Sequence, residues 1–319
     1  MLRPLARSGI GISAIAFGGG PVSGLMTADS KREQLATVER AIIRGINWFD
    51  TAATYGAGQS ERSLGDALAE LHAPDSIHVA TKVRLAAEDL GDIKSAVKRS
   101  VTGSLQRLRR ERVTLLQLHN AITRERGDAP TSITVADVLG KGGVLEAFEE
   151  LRTEGVMPHF GLTGLGQLES LREVLQQGAW ATIQVNEHAL IRRAPGPDHL
   201  MTICATHGVA VLAIRVFGGG ALSGQPPSAH TLKTPFFPLH LYERDQANAR
   251  QLANFLPEAI SMPELAIRHV IGNESITTAI IGFASPQQVD DAIRWAAHGP
   301  LPRDIRDHIA QMPLPEETP

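Results

Sequence analysis

One cysteine, Cys204, is all the chain has in 319 residues, so no intrachain disulfide can form and no thiolate cluster can hold a metal. A reducing compartment, the cytoplasm, is the expected setting, and a lone thiol of this kind reads as a small core hydrophobe rather than a nucleophile. Long apolar runs are also missing, since none approaches the ~18 residues of a membrane span. Arg3 and Arg7 precede an apolar stretch from Ile10 to Phe17, but Gly11 and Ser13 interrupt it. It then runs into Gly18, Gly19, Gly20 and Pro21 instead of a small-residue cleavage site, so residues 1–13 read as a short strand or hairpin and not a secretory signal. Charge of one sign is scarce too. A formal net charge of −3 and a pI near 6.5 offer no field for nucleic acid or an anionic membrane, and both are set aside as partners. The P-loop pattern, HExxH and any HxH pair are absent and the twelve histidines are scattered singly, which leaves metal-dependent hydrolysis with little support.

What is present is ordinary globular material, 43% hydrophobic and 20% charged, enough for a large core. Short runs rich in Val, Ile and Leu, each followed by turn residues, read as buried parallel strands. They are Ala14 to Phe17, Trp48 to Asp50, Ile77 to Thr81, Val113 to Leu118, His159 to Leu162, Thr182 to Val185, Val209 to Ile214 and Thr278 to Ile281. Helical stretches separate them. The first is the clearest: Ser30 with Glu33 forms a capping-box signature, Leu35, Val38 and Ile42 recur at helical spacing, and Gly45 ends the run. Helices follow from about Ser60 to Leu71 and from Ile93 to Leu108. Eight strands alternating with helices match a closed parallel (β/α)8 barrel, an α/β fold, better than an open doubly wound sheet of five to seven strands. One domain spanning 1–319 is expected, with a frayed tail over 311–319. Two long connections, Asn120 to Gly143 and Phe217 to about Glu243, are expected to roof the strand-end face, where Met26, Asn120, Phe236, Phe237 and Tyr242 either line a pocket or pack.

Four polar residues sit where these apolar runs stop. Asp50 closes INWFD, Tyr55 follows five residues on, Lys82 closes IHVATK and His119 closes VTLLQLH. The 32 residues from Asp50 to Lys82 and the 37 from Lys82 to His119 each fit one strand-plus-helix unit, so all four should share one face. Singly, each reads as a solvated strand edge. Together their chemistry interlocks, because a phenol near pKa ~10 is a poor acid or base at neutral pH unless a cation favours its anion. An ammonium about 4 Å from a phenolate does so by about 4 kcal/mol at an effective dielectric of ~20. A carboxylate would hold the ammonium while offsetting part of that field, and an imidazole donor would polarise the carbonyl.

Gly9-Ile-Gly11-Ile-Ser13-Ala14 satisfies the GxGxxA dinucleotide pattern literally, but no strand feeds it and no helix follows, so it is rejected. A better phosphate site follows the eighth strand. There Gly282, Phe283, Ala284 and Ser285 lead into Pro286 and Gln288, with Ser285 a good N-cap and Pro286 suited to the first helical position. Helix N-termini attract phosphate, and barrels often bind it beside strands 7 and 8, next to the Gly218-Gly219-Gly220 turn.

With those residues in view the chain resembles the aldo-keto reductase family. The likeness lies in Phe49-Asp50-Thr51-Ala52 with Tyr55-Gly56, Thr81-Lys82, Leu116-Gln117-Leu118-His119-Asn120, Gly161-Leu162-Thr163, and Ile281-Gly282 with Ser285-Pro286, in order over about residues 9 to 298. The resemblance implies a (β/α)8 barrel binding an extended NADP(H) or NAD(H), with Tyr55 as proton donor or acceptor, Lys82 and Asp50 tuning it, and His119 orienting the carbonyl. It also implies that Asp50, Thr163 and Gln184 line the nicotinamide end, with Gly164 in place of an Asn. Ile214 takes the place of the aromatic that stacks on nicotinamide, and Arg215, near Gly218, that of a pyrophosphate-binding Ser. At the adenosine end the implied contacts are Gly282, Phe283, Ser285, Gln288 and Asp291, with Ala292 in place of an Asn. No Lys or Arg occurs from Ile280 to Ile293, where many NADPH-using members carry cations, so NAD becomes plausible. These departures look closer to the family's bacterial and plant sugar dehydrogenases. The function expected is an NAD(P)-dependent oxidoreductase acting on a small-molecule aldehyde, ketone or sugar lactol, with no metal. The alternatives are a nicotinamide-binding regulatory subunit with little turnover and a metal-dependent barrel hydrolase. No heptad or other assembly signal bears on oligomeric state.

Overall fold

Eight short strands close into a parallel barrel in the computed structural model, which describes residues 2–191, 199–234 and 239–313. The strands are β1 (Ile15–Gly18), β2 (Trp48–Asp50), β3 (His78–Val83), β4 (Leu115–Leu118), β5 (His159–Thr163), β6 (Thr182–Asn186), β7 (Ala210–Ile214) and β8 (Ile276–Gly282). Each pairs with its neighbours in sequence, and β8 closes on β1 through Ala279 opposite Ile15 and Gly282 opposite Gly18. The helices that follow the strands around the barrel are α1 (Lys31–Ile43), α2 (Gln59–Glu70), α3 (Ile93–Leu108), α4 (Val144–Thr153), α5 (Leu168–Gln176), α6 (Leu200–His207), α7 (Met262–Ile271) and α8 (Pro286–Ala297), and further helices span Val135–Leu139, Ala229–Lys233, Leu239–Ala253 and Arg303–Gln311. None is long and apolar enough to cross a membrane.

Alternation along each strand divides the core in two. Ala16, Trp48, Ala80, Leu115, Ala210, Leu212 and Ile280 fill the barrel interior, while Phe17, Phe49, Val79, Leu116, Phe160, Ile183, Val211 and Ile281 pack outward against the helices. Bulky Trp48 faces several alanines, which keeps the narrow interior full. The far end is plugged by a hairpin in which Leu2–Pro4 pairs antiparallel with Gly11–Ser13, and Leu5 and Ile12 join the interior cluster. Arg3 staples that hairpin to the barrel by donating to the carbonyls of Ile276 at 2.7 Å and Ile271 at 2.6 Å. This places Gly11–Ser13 in a floor hairpin rather than a phosphate-binding turn.

Helix α1 starts differently from the expected capping box. The Ser30 side chain makes no cap hydrogen bond, and Gln34 does the anchoring, its amide donating to the carbonyls of Leu25 at 2.9 Å and Ala28 at 2.8 Å. The other end follows expectation: Gly45, at φ +83°, takes the left-handed conformation just past the helix. The loop after β4 has structure of its own, a parallel pairing of Ile122–Thr123 with Ile133–Thr134 and a short helix, Val135–Leu139. Its entry is fixed by Asn120, whose amide donates to Leu85 O at 2.8 Å and Thr131 O at 2.7 Å while its oxygen accepts from the Leu85 N–H. Asn120 is therefore packing, not lining. Met26 lies in the core and Tyr242 is buried with its hydroxyl on Gln246, so both pack as well. Phe236 and Phe237 lie outside the described residues, as does most of the expected frayed tail, from 314 on.

Candidate active site

The alternation that fills the barrel floor with Trp48, Ala80 and Leu115 turns the residues two positions on, Asp50, Lys82 and Gln117, toward the interior at the C-terminal end. His119 comes two further along and continues the ladder, its N–H donating to Val83 O at 2.8 Å. Tyr55 is on no strand. It is held in the β2–α2 turn by its own N–H on Ala52 O at 3.1 Å and by the Ser60 N–H on its carbonyl at 3.3 Å.

Lys82 is the hub. Its ammonium is fully shielded from solvent and donates to Asp50 Oδ1, to Thr51 O at 2.9 Å and to the Tyr55 hydroxyl at 3.3 Å. Three N–H groups thus meet three oxygens, which offsets a desolvation that would otherwise expel the charge. Burial pushes the ammonium down, but Asp50 and then Tyr55 outweigh it and its pKa is raised, so it stays charged through the neutral range. The second oxygen of Asp50, Oδ2, accepts from Gln117 Nε2 at 3.2 Å and Gln184 Nε2 at 2.6 Å. His119 meets Tyr55 edge to face, ring centroids 5.7 Å apart at 84°, and its Nδ1 lies 3.4 Å from Thr54 Oγ1. Burial first, then the charges of Lys82 and Arg84, hold this imidazole well below the ordinary histidine value, so it is neutral at pH 7. A phenol beside a fixed ammonium, with a neutral imidazole at its edge, is equipped to give or take one proton at a carbonyl oxygen.

The residues expected along a cofactor divide by environment. Thr163 is buried with its hydroxyl on Leu118 O at 3.1 Å, and Gln184 is engaged with Asp50. Gly164 follows β5 with its N–H on Gln184 O at 2.7 Å, and a Cβ there would lie 3.0 to 3.1 Å from Ile183, Gln184 and Val185 atoms. An asparagine would have to displace these neighbours. Arg215, first residue beyond β7, has φ +55° and receives the Gly218 N–H on its carbonyl at 2.7 Å, opening the turn Gly218–Gly220. At the end of β8, Gly282 is exposed, but Phe283 just beyond it is not. Its ring is 1% exposed and packs on Phe17 at 5.6 Å, so the side chain belongs to the core and only the backbone of this residue can face a ligand. Ser285 caps α8 through the Gln288 N–H at 3.4 Å, and Gln288 reaches back to the Ala284 N–H at 2.8 Å. Asp291 is paired with Arg294 on the same helix. These parts fit a dinucleotide: side-chain-free backbone at Gly282 and Gly218, and an N-terminal helix end beside the β7 exit. Gln117 adds a buried Oε1 that has no hydrogen-bond partner among the described residues.

A model of the aldo/keto reductase family matches residues 14–312. The chain belongs to that family. Among curated relatives it is 27% identical over 303 residues to L-galactose dehydrogenase of Arabidopsis thaliana, covering 92% of this chain and 86% of that one. It is 25% identical over 317 residues to D-threo-aldose 1-dehydrogenase of a Pseudomonas species, covering 92% of each. An aldo-keto reductase from Bacillus halodurans in its holo form superposes with a TM-score of 0.74 at 25% identity, covering 97% of this chain and 95% of that one. One from Klebsiella pneumoniae in complex with NADPH shares the fold, with a TM-score of 0.71 at 22% identity and coverage of 99% and 96%. The protein is an NAD(P)-dependent oxidoreductase acting between carbonyl and alcohol.

Three residues of this aldo/keto reductase's site were not singled out from sequence. Gln117 is one, two positions before His119 on the same inward face, and strand parity alone could have found it. Arg84, two beyond Lys82, is another, half-buried and felt electrostatically by both Tyr55 and His119. Thr54 is the third, next to His119 only because of how the β2–α2 turn folds. Among the described residues no three of His, Cys, Asp and Glu come together to hold a metal. A surface hollow of about 500 Å³ lined by Arg124, Glu125, Asp128, Gln167 and Ser170 shares no residue with the tetrad.

Proposed function

We propose that this aldo/keto reductase interconverts a sugar lactol or small polar aldehyde with its lactone or alcohol, using Tyr55, Lys82, Asp50 and His119 to handle the proton. The observation that carries the reading is the shared ammonium of Lys82, bonded at once to Asp50 and, at 3.3 Å, to the Tyr55 hydroxyl. Nicotinamide, when bound, supplies or takes up the hydride. In reduction Tyr55 gives its proton to the oxygen that gains charge, and Lys82 stabilises the phenolate left behind. In oxidation the same phenolate accepts the alcohol proton. Asp50 keeps the ammonium aimed and moderates its field. His119 is held neutral, and in the tautomer whose Nδ1 accepts from the Thr54 hydroxyl the ring proton is on Nε2, available to the substrate oxygen.

Asp50, Thr163 and Gln184 would hold the nicotinamide end, Arg215 and Gly218 the pyrophosphate, and Gly282, the Phe283 backbone, Ser285, Gln288 and Asp291 the adenosine end. NAD(H) serves at least as well as NADP(H), since no cation lies between Ile280 and Ile293 and the next one, Arg294, is taken by Asp291. The sugar assignment draws on the two relatives named as sugar dehydrogenases. The single thiol suits the cytoplasm. The test is a fluorescence titration with NADH and NADPH, then a screen of aldehydes and lactols with the tighter cofactor. Tyr55→Phe should bind cofactor as before and turn over at least ~10²-fold more slowly. A fully active Phe variant removes the mechanism.

A further inference from the structure

Tyr55 and Lys82 belong to different elements, a turn and a strand, so their 3.3 Å contact exists only if the turn is held at one height against β3. On the near side the backbone does this: Thr51 N–H donates to Ala80 O at 2.9 Å and Ala53 N–H to Lys82 O at 3.4 Å. On the far side the link is Glu61, in the first turn of α2 and 0% exposed. Its Oε1 accepts from the hydroxyl of Thr81, the residue immediately before Lys82, and its Oε2 from Arg107 Nε on α3 at 2.6 Å. Arg107 in turn lies directly under the turn. A Cβ on Gly58, which adopts φ +86° at the start of α2, would sit 2.6 Å from Arg107 Cδ, and one on Gly65 would sit 2.7 Å from the Arg107 carbonyl. Ser60 adds a second anchor, its hydroxyl donating to Gly19 O at 2.8 Å beside Thr51 Oγ1 at the same distance.

Burying a whole carboxylate in the wall between strand and helices is hard to justify by stability, because desolvation cancels much of the attraction and an apolar residue would pack as well. What such a pair does provide is a unique geometry. Thr81 faces outward to Glu61 while Lys82, the next residue, faces inward to Tyr55, so the strand passes any shift of one to the other. We infer that Glu61 is a positioning residue, clamping the Tyr55 turn to the strand that carries Lys82 through Thr81 and Arg107. The inference rests on the reading of Tyr55 and Lys82 given above, and it assigns a role in catalysis to a residue that touches neither substrate nor cofactor.

The experiment compares Glu61→Gln, Thr81→Val and Arg107→Met with the native enzyme. Measurements are kcat and KM with one aldehyde, cofactor affinity by fluorescence, and the pH profile of kcat. The expected result is a tenfold or greater fall in kcat for Glu61→Gln with KM and cofactor affinity within about twofold, and displacement of the pH profile. Thr81→Val, which keeps volume and loses only the hydroxyl, should repeat the displacement if Glu61→Gln does not fold. Native kcat and an unmoved pH profile in folded variants, with only a lower Tm, would overturn the clamp. Tyr55→Phe in the same assay separates the two ideas: if it is fully active the proton mechanism fails, whereas if it is dead and the Glu61 and Thr81 variants are normal, only the clamp fails.

Discussion

The two ends of the site are built differently. At the proton end, Asp50, Lys82, Gln117 and Gln184 are buried, point into the barrel from four strands, and are bonded to one another. At the proposed dinucleotide end, Gly282 closes β8 opposite Gly18 while Ser285 and Gln288 stand at the helix start; all three are partly or fully exposed, and the side chains of Ser285 and Gln288 cap their own helix. A closed barrel fixes inward side chains through paired strands on both sides, so the chemistry is assembled before any ligand arrives. Loops beyond the strands carry no such constraint, and on the proposed reading their residues are free to set which cofactor and substrate are accepted. Rigidity and choice are thus separated along one axis.

The largest expected effect breaks the rigid end. Lys82→Met leaves Asp50 buried without its cation and should cost about 3–5 kcal/mol of stability in urea unfolding, with turnover down at least ~10²-fold. A stable, active Met variant would show that the two ends do not differ as described. At the permissive end, Gln288→Arg places a cation on the exposed first turn of α8. It should favour NADPH over NADH by about tenfold, or ~1.4 kcal/mol, with kcat unchanged; an unmoved ratio of affinities would place the adenosine phosphate elsewhere. A smaller effect concerns acid. Because His119 is held below its ordinary value in the fold, its contribution to stability is complete above pH ~6.5 and is lost as the pH falls from there toward the lower folded value. His119→Asn should flatten that acid limb in unfolding curves measured from pH 7.5 to 5. The Lys82 pKa is shifted the other way, upward, so its contribution is lost only at alkaline pH. The smallest effect is an absence: burial pushes the Cys204 thiol up to about 12, so a thiol reagent at pH 8 should leave the native enzyme untouched and titrate one group per chain after denaturation.

Much of this was legible in the residues. All eight barrel strands fall where short Val-, Ile- and Leu-rich runs meet turn residues, and the ends drift by a residue or two, as at Val113 to Leu118, which pairs only over Leu115–Leu118. The tetrad was legible because polar residues terminate apolar runs. The Ser30 spacing reads as a capping box, but Ser30 sits at φ −135°, ψ 55° and makes no side-chain cap bond, and the Gln34 amide ties the helix start to the preceding turn instead. Position in a motif does not say which way a ring turns, and the Phe283 ring packs on Phe17 in the outer core, which leaves its backbone to serve the proposed contact. Gln117, Arg84 and Thr54 adjoin tetrad residues in the chain, and strand parity points to Gln117; what no local pattern gives is their long-range interactions, Gln117 with Asp50, Thr54 with His119 and Arg84 with Tyr55 and His119.

Periodicity and composition alone determined that this chain alternates strand and helix, closes without disulfides, and ends four strands or turns in residues able to share a proton, because those properties follow from local patterns of burial and residue chemistry. Only the closed barrel decided that Lys82 touches Asp50, Thr51 and Tyr55 together, that two glutamines hold the far oxygen of Asp50, and that Glu61 ties turn to strand. Contacts between residues dozens of positions apart depend on strand register and on the packing of helices against the wall, and no local pattern encodes either.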